Sequence, residues 1–225
     1  MHEQTILFDI NETVLNLDSL KPKFNAIFGD KSYTSTWFSM LLHSSTVCLV
    51  TGVKTDFASL AKIALDALAA KQKLLLSEEE GNDILATFAN LAPHKDIQSA
   101  LTKLRKAGFR LVALSNSSQA LLTTQIRNAG LTGYFDELIS EEAAGTFKPS
   151  ANAYAFASKQ LETTPDKLRL VATHDWDTHG ALSADLKAAY IDRTGAPYNP
   201  LFLKPDVIGS TMDEIAEQII SIHNI

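Results

Sequence analysis

An α/β fold built on a mostly parallel sheet is what this sequence predicts, and three observations predict it. Apolar strand-like runs alternate with amphipathic helix-like runs from Ala92 onward. A first strand-like run, Thr5-Ile6-Leu7-Phe8, is followed by residues 20–92, which read as helical with no strand signal. The main polar clusters each follow a strand-like run, at the edge where open α/β sheets bind ligands. Strand then helix, repeated, implies parallel strands joined by right-handed crossovers. The expected organisation is one α/β core, residues 1–15 plus 93–225, with an all-helical segment, residues 16–92, inserted after the first strand and lying over the catalytic edge.

The elements follow in order. Residues 21–28 form a short amphipathic helix, and residues 36–44 carry Trp37, Met40 and Leu41 at helical spacing. Residues 56–75 place Leu60, Ile63, Ala64, Ala67 and Leu68 on one face. Ser77 opens another helix with three Glu in its first turn, where the helix dipole favours them. Residues 96–107 read as helix closed by Gly108, 109–114 as strand, and 119–129 as helix with Gly130 behind it. Then come a short strand (137–140), a helix (152–161), a strand (168–173), a helix (176–184), a strand (188–191) and a final helix (212–222).

Composition narrows the function classes. A chain of 225 residues with 45% hydrophobic and 20% charged residues is an ordinary globular protein. The net charge of −6 and the lack of a basic stretch speak against nucleic acid and anionic membrane surfaces as partners. The one cysteine, Cys48, excludes a disulfide framework and suits the reducing cytoplasm. Its apolar neighbours Val47, Leu49 and Val50 make it a small packing residue rather than a nucleophile. The N-terminal residues show no targeting signal, and no run is long enough to span a bilayer.

Four strand ends carry the chemistry. Asp9 closes the first apolar run and opens the turn Asn11-Glu12-Thr13. Ser115-Asn116-Ser117-Ser118 follows the second strand and offers hydroxyls and amides at a helix start, a cradle for an anion as well as a plain helix cap. Lys148 precedes Pro149, which restricts its backbone. Thr173-His174-Asp175-Trp176-Asp177 puts two acids, a His and a Trp within five residues after the fourth strand.

In this order, Asp, Ser, Lys and Asp at successive strand ends, the chain resembles the haloacid dehalogenase superfamily over nearly its whole length. Within it the type II (S)-2-haloacid dehalogenases are most similar. The residues that carry the resemblance are Asp9 with Asn11 and Thr13, then Ser115-Asn116-Ser117, then Lys148-Pro149 with Tyr154 six positions after the lysine, then Trp176-Asp177. The Lys-to-Tyr spacing and the Trp-Asp pair are its specific parts. The resemblance implies a Rossmann-like core with a helical cap, a homodimer, no metal and no cofactor. Superfamily phosphatases carry an acid where Asn11 stands and another where Thr173 stands, and a hard cation wants several carboxylate oxygens. The family's cap arginine, which grips the departing halide, has no counterpart, since no arginine precedes Arg105; Lys31 is the nearest cation to that position. Lysine and arginine are not equivalent in such cradles. His174 stands where the family has Asn.

What the resemblance implies about mechanism is specific. Asp9 displaces a leaving group from a saturated carbon alpha to a carboxylate and forms an aspartyl ester. Lys148 keeps Asp9 ionised, and Asp177, helped by His174, activates the water that hydrolyses the ester. Ser115, Asn116, Ser117 and Asn11 hold the small 2-substituted carboxylic acid substrate, and Thr13 and Tyr154 orient Asp9 and Lys148. Trp176, Tyr33, Phe57 and Phe38 are candidates for an apolar pocket, and Lys31 for the leaving-group contact. Two alternatives stand beside this: a ring-opening hydrolase like the azetidine-2-carboxylate hydrolases, with His174 or Asp175 as proton donor, and a catalytically weak binding protein on the same scaffold. Asp9→Asn is expected to stop turnover at a stability cost of about 0.5–1 kcal/mol, as for a polar group at a solvent-lined strand end.

Overall fold

Six parallel strands form the sheet, in the order β3-β2-β1-β4-β5-β6. The computed structural model describes residues 4–223. Residues 1–3, part of the N-terminus read above for a targeting signal, lie outside them. The strands are β1 (Thr5–Phe8), β2 (Arg110–Ser115), β3 (Glu137–Ser140), β4 (Leu168–Ala172), β5 (Lys187–Ile191) and β6 (Val207–Gly209). The order reverses at β1, between β2 and β4, and such a switch point opens a crevice at the strand C-termini.

The central strands are apolar on both faces because helices cover both. Ile6 and Phe8 of β1 share one core with Leu111 and Ala113 of β2 and with helices α5 (Ile97–Lys106), α6 (Gln119–Asn128) and α9 (Met212–His223). Leu7 faces the other way and packs with Val112, Leu114, Leu170 and Ala172 against α7 (Ala151–Gln160) and α8 (Asp175–Ser183). The period of two is the alternation of a pleated strand.

Between β1 and α5 the chain forms four α-helices: α1 (Lys21–Phe28), α2 (Tyr33–Thr51), α3 (Phe57–Lys71) and α4 (Glu78–Phe88). A bridge between Leu15 and Pro93, and a hydrogen bond from the Asn16 amide to the Ala92 carbonyl (2.8 Å), close the neck through which this segment leaves and returns. Trp37 is its hub. The ring packs on Phe24, Phe38 and Phe88, and its indole N–H donates to the Ala61 carbonyl at 3.0 Å.

Three boundaries differ from the sequence reading. Helix α2 runs from Tyr33 to Thr51 rather than over 36–44. The polar run Ser44-Ser45-Thr46 reads as a breaker, but the Ser45 and Thr46 hydroxyls donate back to the Leu42 carbonyl (2.8 and 3.0 Å) and stay helical. The real stop is Gly52, left-handed at φ 73°. Helix α3 ends at Lys71, short of the expected residue 75, and Leu75 is fully exposed beyond it. Strand β6 is not expected from sequence at all. Three residues are too few for a periodic signal.

Candidate active site

The register of the sheet sets where the site lies. Phe8, the last residue of β1, is level with Ala113 of β2 and Val171 of β4. Asp9 therefore leaves the sheet between the ends of two neighbours, and its amide still donates to the Val171 carbonyl at 3.0 Å. Thr13, one turn on, donates its hydroxyl to Asp9 Oδ2 at 2.6 Å and accepts the Thr173 amide at 2.9 Å. The direction of the Thr13 proton is thereby fixed toward Asp9.

Lys148 reaches the same carboxylate from the other side. Its Nζ donates to Asp9 Oδ1 at 2.8 Å, to Asp177 Oδ2 at 2.6 Å and to the Leu114 carbonyl at 3.2 Å. All three ammonium protons are used, and the side chain is 1% exposed. Asn116 holds the Lys148 backbone: its Oδ1 accepts the Lys148 amide at 2.8 Å, and its Nδ2 donates to the Lys148 carbonyl at 3.5 Å.

Asp177 comes from the first turn of α8. Its Oδ1 accepts the Tyr154 hydroxyl at 2.6 Å. Gly180 makes this approach possible. A Cβ there would stand 2.7 Å from the Tyr154 hydroxyl and 2.6 Å from the Pro149 Cβ.

His174, at the N-cap of α8, completes the row. Its Nε2 lies 2.9 Å from Glu12 Oε2, and its Nδ1 lies 3.4 Å from Asp9 Oδ2 without a formed hydrogen bond. The ring stacks between Trp176 and Phe38, with centroids at 5.1 and 6.3 Å. Five groups thus alternate in sign: Glu12, His174, Asp9, Lys148, Asp177.

The electrostatics follow from that alternation. Burial pushes Asp9 upward, but Lys148 and His174 outweigh it and hold its carboxyl well below the usual carboxylate range. Burial works against a charged Lys148, and Asp177 and Asp9 overcome it, so its ammonium is held above the ordinary lysine value. For Asp177 burial dominates and raises it despite Lys148. Burial likewise disfavours a charged His174, but the Asp9 and Glu12 carboxylates push it up to about 10. His174 is therefore an imidazolium at neutral pH.

Of the residues expected to line the site, the structure gathers Asp9, Thr13, Lys148, Tyr154, His174 and Asp177 into one hydrogen-bonded and ion-paired group, with Trp176 on the His174 ring. Ser115 is buried at the end of β2; its Oγ accepts the Ser117 amide at 3.1 Å, which leaves its own proton to donate. Four others are placed differently. Asn11 is spent on structure, with Nδ2 donating to Ser117 Oγ (3.3 Å) and Oδ1 accepting from Gln125 Nε2 (3.1 Å). Asn116 holds the Lys148 backbone with its Oδ1 and one Nδ2 proton, which leaves the second Nδ2 proton to donate. Tyr33 donates to Gln72 (2.8 Å) and packs on Phe28, inside the helical segment. Phe57 packs on Phe147, where α3 meets the core, and lines a separate cavity of about 420 Å³ that Asn116 also borders. Lys31 is exposed and lines a cavity of about 620 Å³ that Glu12 and His174 also line.

Sequence reasoning missed three residues. Glu12 holds the outer face of His174 from a left-handed backbone conformation (φ 67°), a cost that non-glycine residues rarely bear. Gln125 ties Asn11 to the Phe88 carbonyl at the foot of α4. Glu141 is fully buried, and neither carboxyl oxygen has a hydrogen-bond partner among the described residues. Burial, opposed by Lys148 and reinforced by Asp177, pushes its carboxyl up to about 8.

A pH prediction follows. A charged His174 stabilises the fold in full below its ordinary value of 6.5, and that contribution is lost as pH rises toward about 10. Glu141 acts in the same sense: its stabilising neutral form is complete below 4.5 and lost as pH rises through about 8. Tm is expected to fall from near-neutral to alkaline pH. Glu141→Gln removes one of the two causes, so the Tm of the variant relative to wild type should climb between pH 5 and 8.5. A constant difference across that range would contradict the assignment.

Comparison with known proteins agrees with this geometry. The model of the haloacid dehalogenase-like hydrolase family matches residues 3–171. The (S)-2-haloacid dehalogenase 2 of Pseudomonas sp. (strain CBS-3) is 26% identical over 212 residues, 93% of each chain. Haloacetate dehalogenase H-2 of Moraxella sp. (strain B) is 25% identical over 96% of this chain and 97% of its own. In fold, the L-2-haloacid dehalogenase of Xanthobacter autotrophicus with chloropropionic acid covalently bound superposes with a TM-score of 0.89, at 24% identity, over 96% of this chain and 98% of that one. With more than half of its length matched by the family, and with Asp9, Ser115, Lys148 and Asp177 delivered to one edge of a parallel sheet, this chain belongs to the haloacid dehalogenase-like hydrolases.

Proposed function

We propose that this hydrolase displaces a halide from the carbon alpha to a carboxylate, as an (S)-2-haloacid dehalogenase, through an ester on Asp9. The observation that carries the reading is Asp9 itself, a carboxylate held ionised at the switch point by Lys148 at 2.8 Å and oriented by Thr13 at 2.6 Å. An ionised carboxylate among fixed donors is a nucleophile rather than an acid. The similarity of the dehalogenases named above supports the choice of substrate class.

The steps divide among residues already placed. An Asp9 oxygen attacks the alpha carbon, and the halide leaves with the bonding pair. Ser115 offers its free hydroxyl proton to the substrate carboxylate. Asp177, raised by burial, takes a proton from the water that attacks the ester. Lys148 loses a partner when Asp9 becomes an ester, but keeps Asp177 and the Leu114 carbonyl, so its charge stays compensated. Residues 16–92 act as the cap, with Phe38 and Phe57 at its contact with the core.

A magnesium ion does not fit this residue set. Both Asp9 oxygens already accept from Lys148 and Thr13, an imidazolium stands beside them, and Asn11 and Thr173 offer no carboxylate. Halide release from (S)-2-chloropropionate is therefore expected to survive EDTA. Loss of activity in EDTA that magnesium restores would contradict the metal-free reading, and failure to release halide from any 2-haloacid would contradict the dehalogenase reading.

A cytoplasmic homodimer completes the proposal. A single cysteine suits a reducing compartment, and among the described residues no helix is long and apolar enough to cross a membrane. Val47 and Val50 on α2 and Ile63 on α3 are exposed apolar side chains of the cap for a second copy to cover.

A further inference from the structure

Two donors converge on one oxygen of the nucleophile, and they differ in how far they are spent. Asp9 Oδ2 accepts the Thr13 hydroxyl at 2.6 Å and faces His174 Nδ1 at 3.4 Å. Among the described residues Oδ1 accepts only from Lys148, whose other two partners remain if that bond is given up. Oδ1 is thus the oxygen free to alkylate, and Oδ2 becomes the carbonyl oxygen of the ester. Nδ1 is buried, lies beside that oxygen and makes no hydrogen bond among the described residues, so it is an unspent donor next to the carbonyl.

We propose that His174 is a catalytic residue of ester hydrolysis: its Nδ1–H, together with the Thr13 hydroxyl, stabilises the oxyanion that forms on Asp9 Oδ2, and Glu12 is the positioning residue that holds the ring and its charge. The inference rests on the aspartyl-ester reading above. Water attacks Cγ of Asp9 and gives a proton to Asp177, while the carbonyl pair moves onto Oδ2. On collapse that pair re-forms the carbonyl and the Cγ–Oδ1 bond breaks. The departing alkoxide takes the proton from Asp177. Asp9 is left as a carboxylic acid and loses its proton to solvent, and His174 keeps its own throughout.

The surroundings of the ring suit this role. The Asp9 and Glu12 carboxylates face its two nitrogens from the β1 loop, and Phe38 of α2 and Trp176 of α8 lie on its faces. A cation at a helix N-terminus is opposed by the helix dipole. Glu12 offsets that opposition at 2.9 Å, which explains a carboxylate held in an unfavourable backbone conformation. At 3.4 Å the Nδ1 contact is loose in the resting state. Such donors tighten when the oxygen they face acquires charge.

The test is rapid-quench single turnover of (S)-2-chloropropionate by wild type, His174→Gln and Glu12→Gln, with halide and the mass of the Asp9 peptide read at each time. In His174→Gln, halide is expected to appear at close to the wild-type rate, while ester breakdown slows by on the order of 10²–10³-fold, the range for loss of one oxyanion donor, so the ester accumulates. Glu12→Gln should slow the same step less and shift the alkaline limb of the pH profile for ester breakdown to lower pH. Should His174→Gln not fold by circular dichroism, Glu12→Gln decides alone, through that shift. Slowed halide release without ester accumulation, or unchanged kinetics, overturns the assignment of His174 while leaving the dehalogenase reading intact. A wild type that forms no ester and releases no halide overturns both.

Discussion

Asp9→Asn should abolish turnover, with kcat reduced by on the order of 10⁴–10⁶-fold, the scale on which removal of a covalent nucleophile acts. The amide keeps the shape of the side chain but offers no anion to attack carbon. Its effect on stability should exceed the sequence-based figure. That figure assumed a solvent-lined strand end, whereas Asp9 is 6% exposed and bonded to Lys148 and Thr13. Hydrogen bonds to charged groups are worth about 1.5–3 kcal/mol, and Lys148 retains Asp177, so a loss of that size is expected in urea unfolding. Slow deamidation would regenerate Asp9, which peptide mass would reveal. Near-normal turnover by a variant whose peptide mass shows the amide intact would place the nucleophile elsewhere.

Lys148→Met should give the largest stability change of any single substitution at the site. One buried ammonium neutralises two carboxylates, Asp9 and Asp177, at 2.8 and 2.6 Å. Methionine fills most of the volume and leaves those two acids facing each other. Breaking a buried pair in this way costs about 3–5 kcal/mol. One of the two acids should then take up a proton near neutrality, so its folded pKa lies above the unfolded value. The variant is accordingly least destabilised at pH 5 and loses stability as pH rises to 8. Turnover should fall steeply as well, since Asp9 loses the closer of the two cationic partners, Lys148 and His174, that keep it ionised. A cost below about 1 kcal/mol at pH 8 would mean that the carboxylates are compensated by something other than Lys148.

The frame of the site was legible because it follows from local rules. An apolar run ending in Asp9, and others ending before Ser115 and His174, mark strand ends, and strand ends at a switch point carry ligands. Lys148 and Tyr154 were legible only through the family resemblance, whose Lys-to-Tyr spacing they match, because a lysine before a proline on its own reads as a surface residue. What was not legible depends on pairs far apart in the chain. Glu12 meets His174 across 162 residues, and Asn11 meets Gln125 across 114. No periodicity encodes either contact. Asn116 has a second task that its position did not reveal, for a related reason: a polar residue at a strand end serves a ligand or the neighbouring loop equally well, and here it also holds the Lys148 backbone. Tyr33 was misjudged because an aromatic on a helix looks the same in sequence whether it faces a pocket or packing.

The central claim is that water attacks the Asp9 ester and not the substrate carbon. A single turnover in H₂¹⁸O, with enzyme in excess over (S)-2-chloropropionate, tests it directly. Unlabelled 2-hydroxypropionate and one ¹⁸O in the peptide that carries Asp9 are expected, because the product hydroxyl oxygen comes from the carboxylate. Label in the product hydroxyl, with none in Asp9, would contradict it.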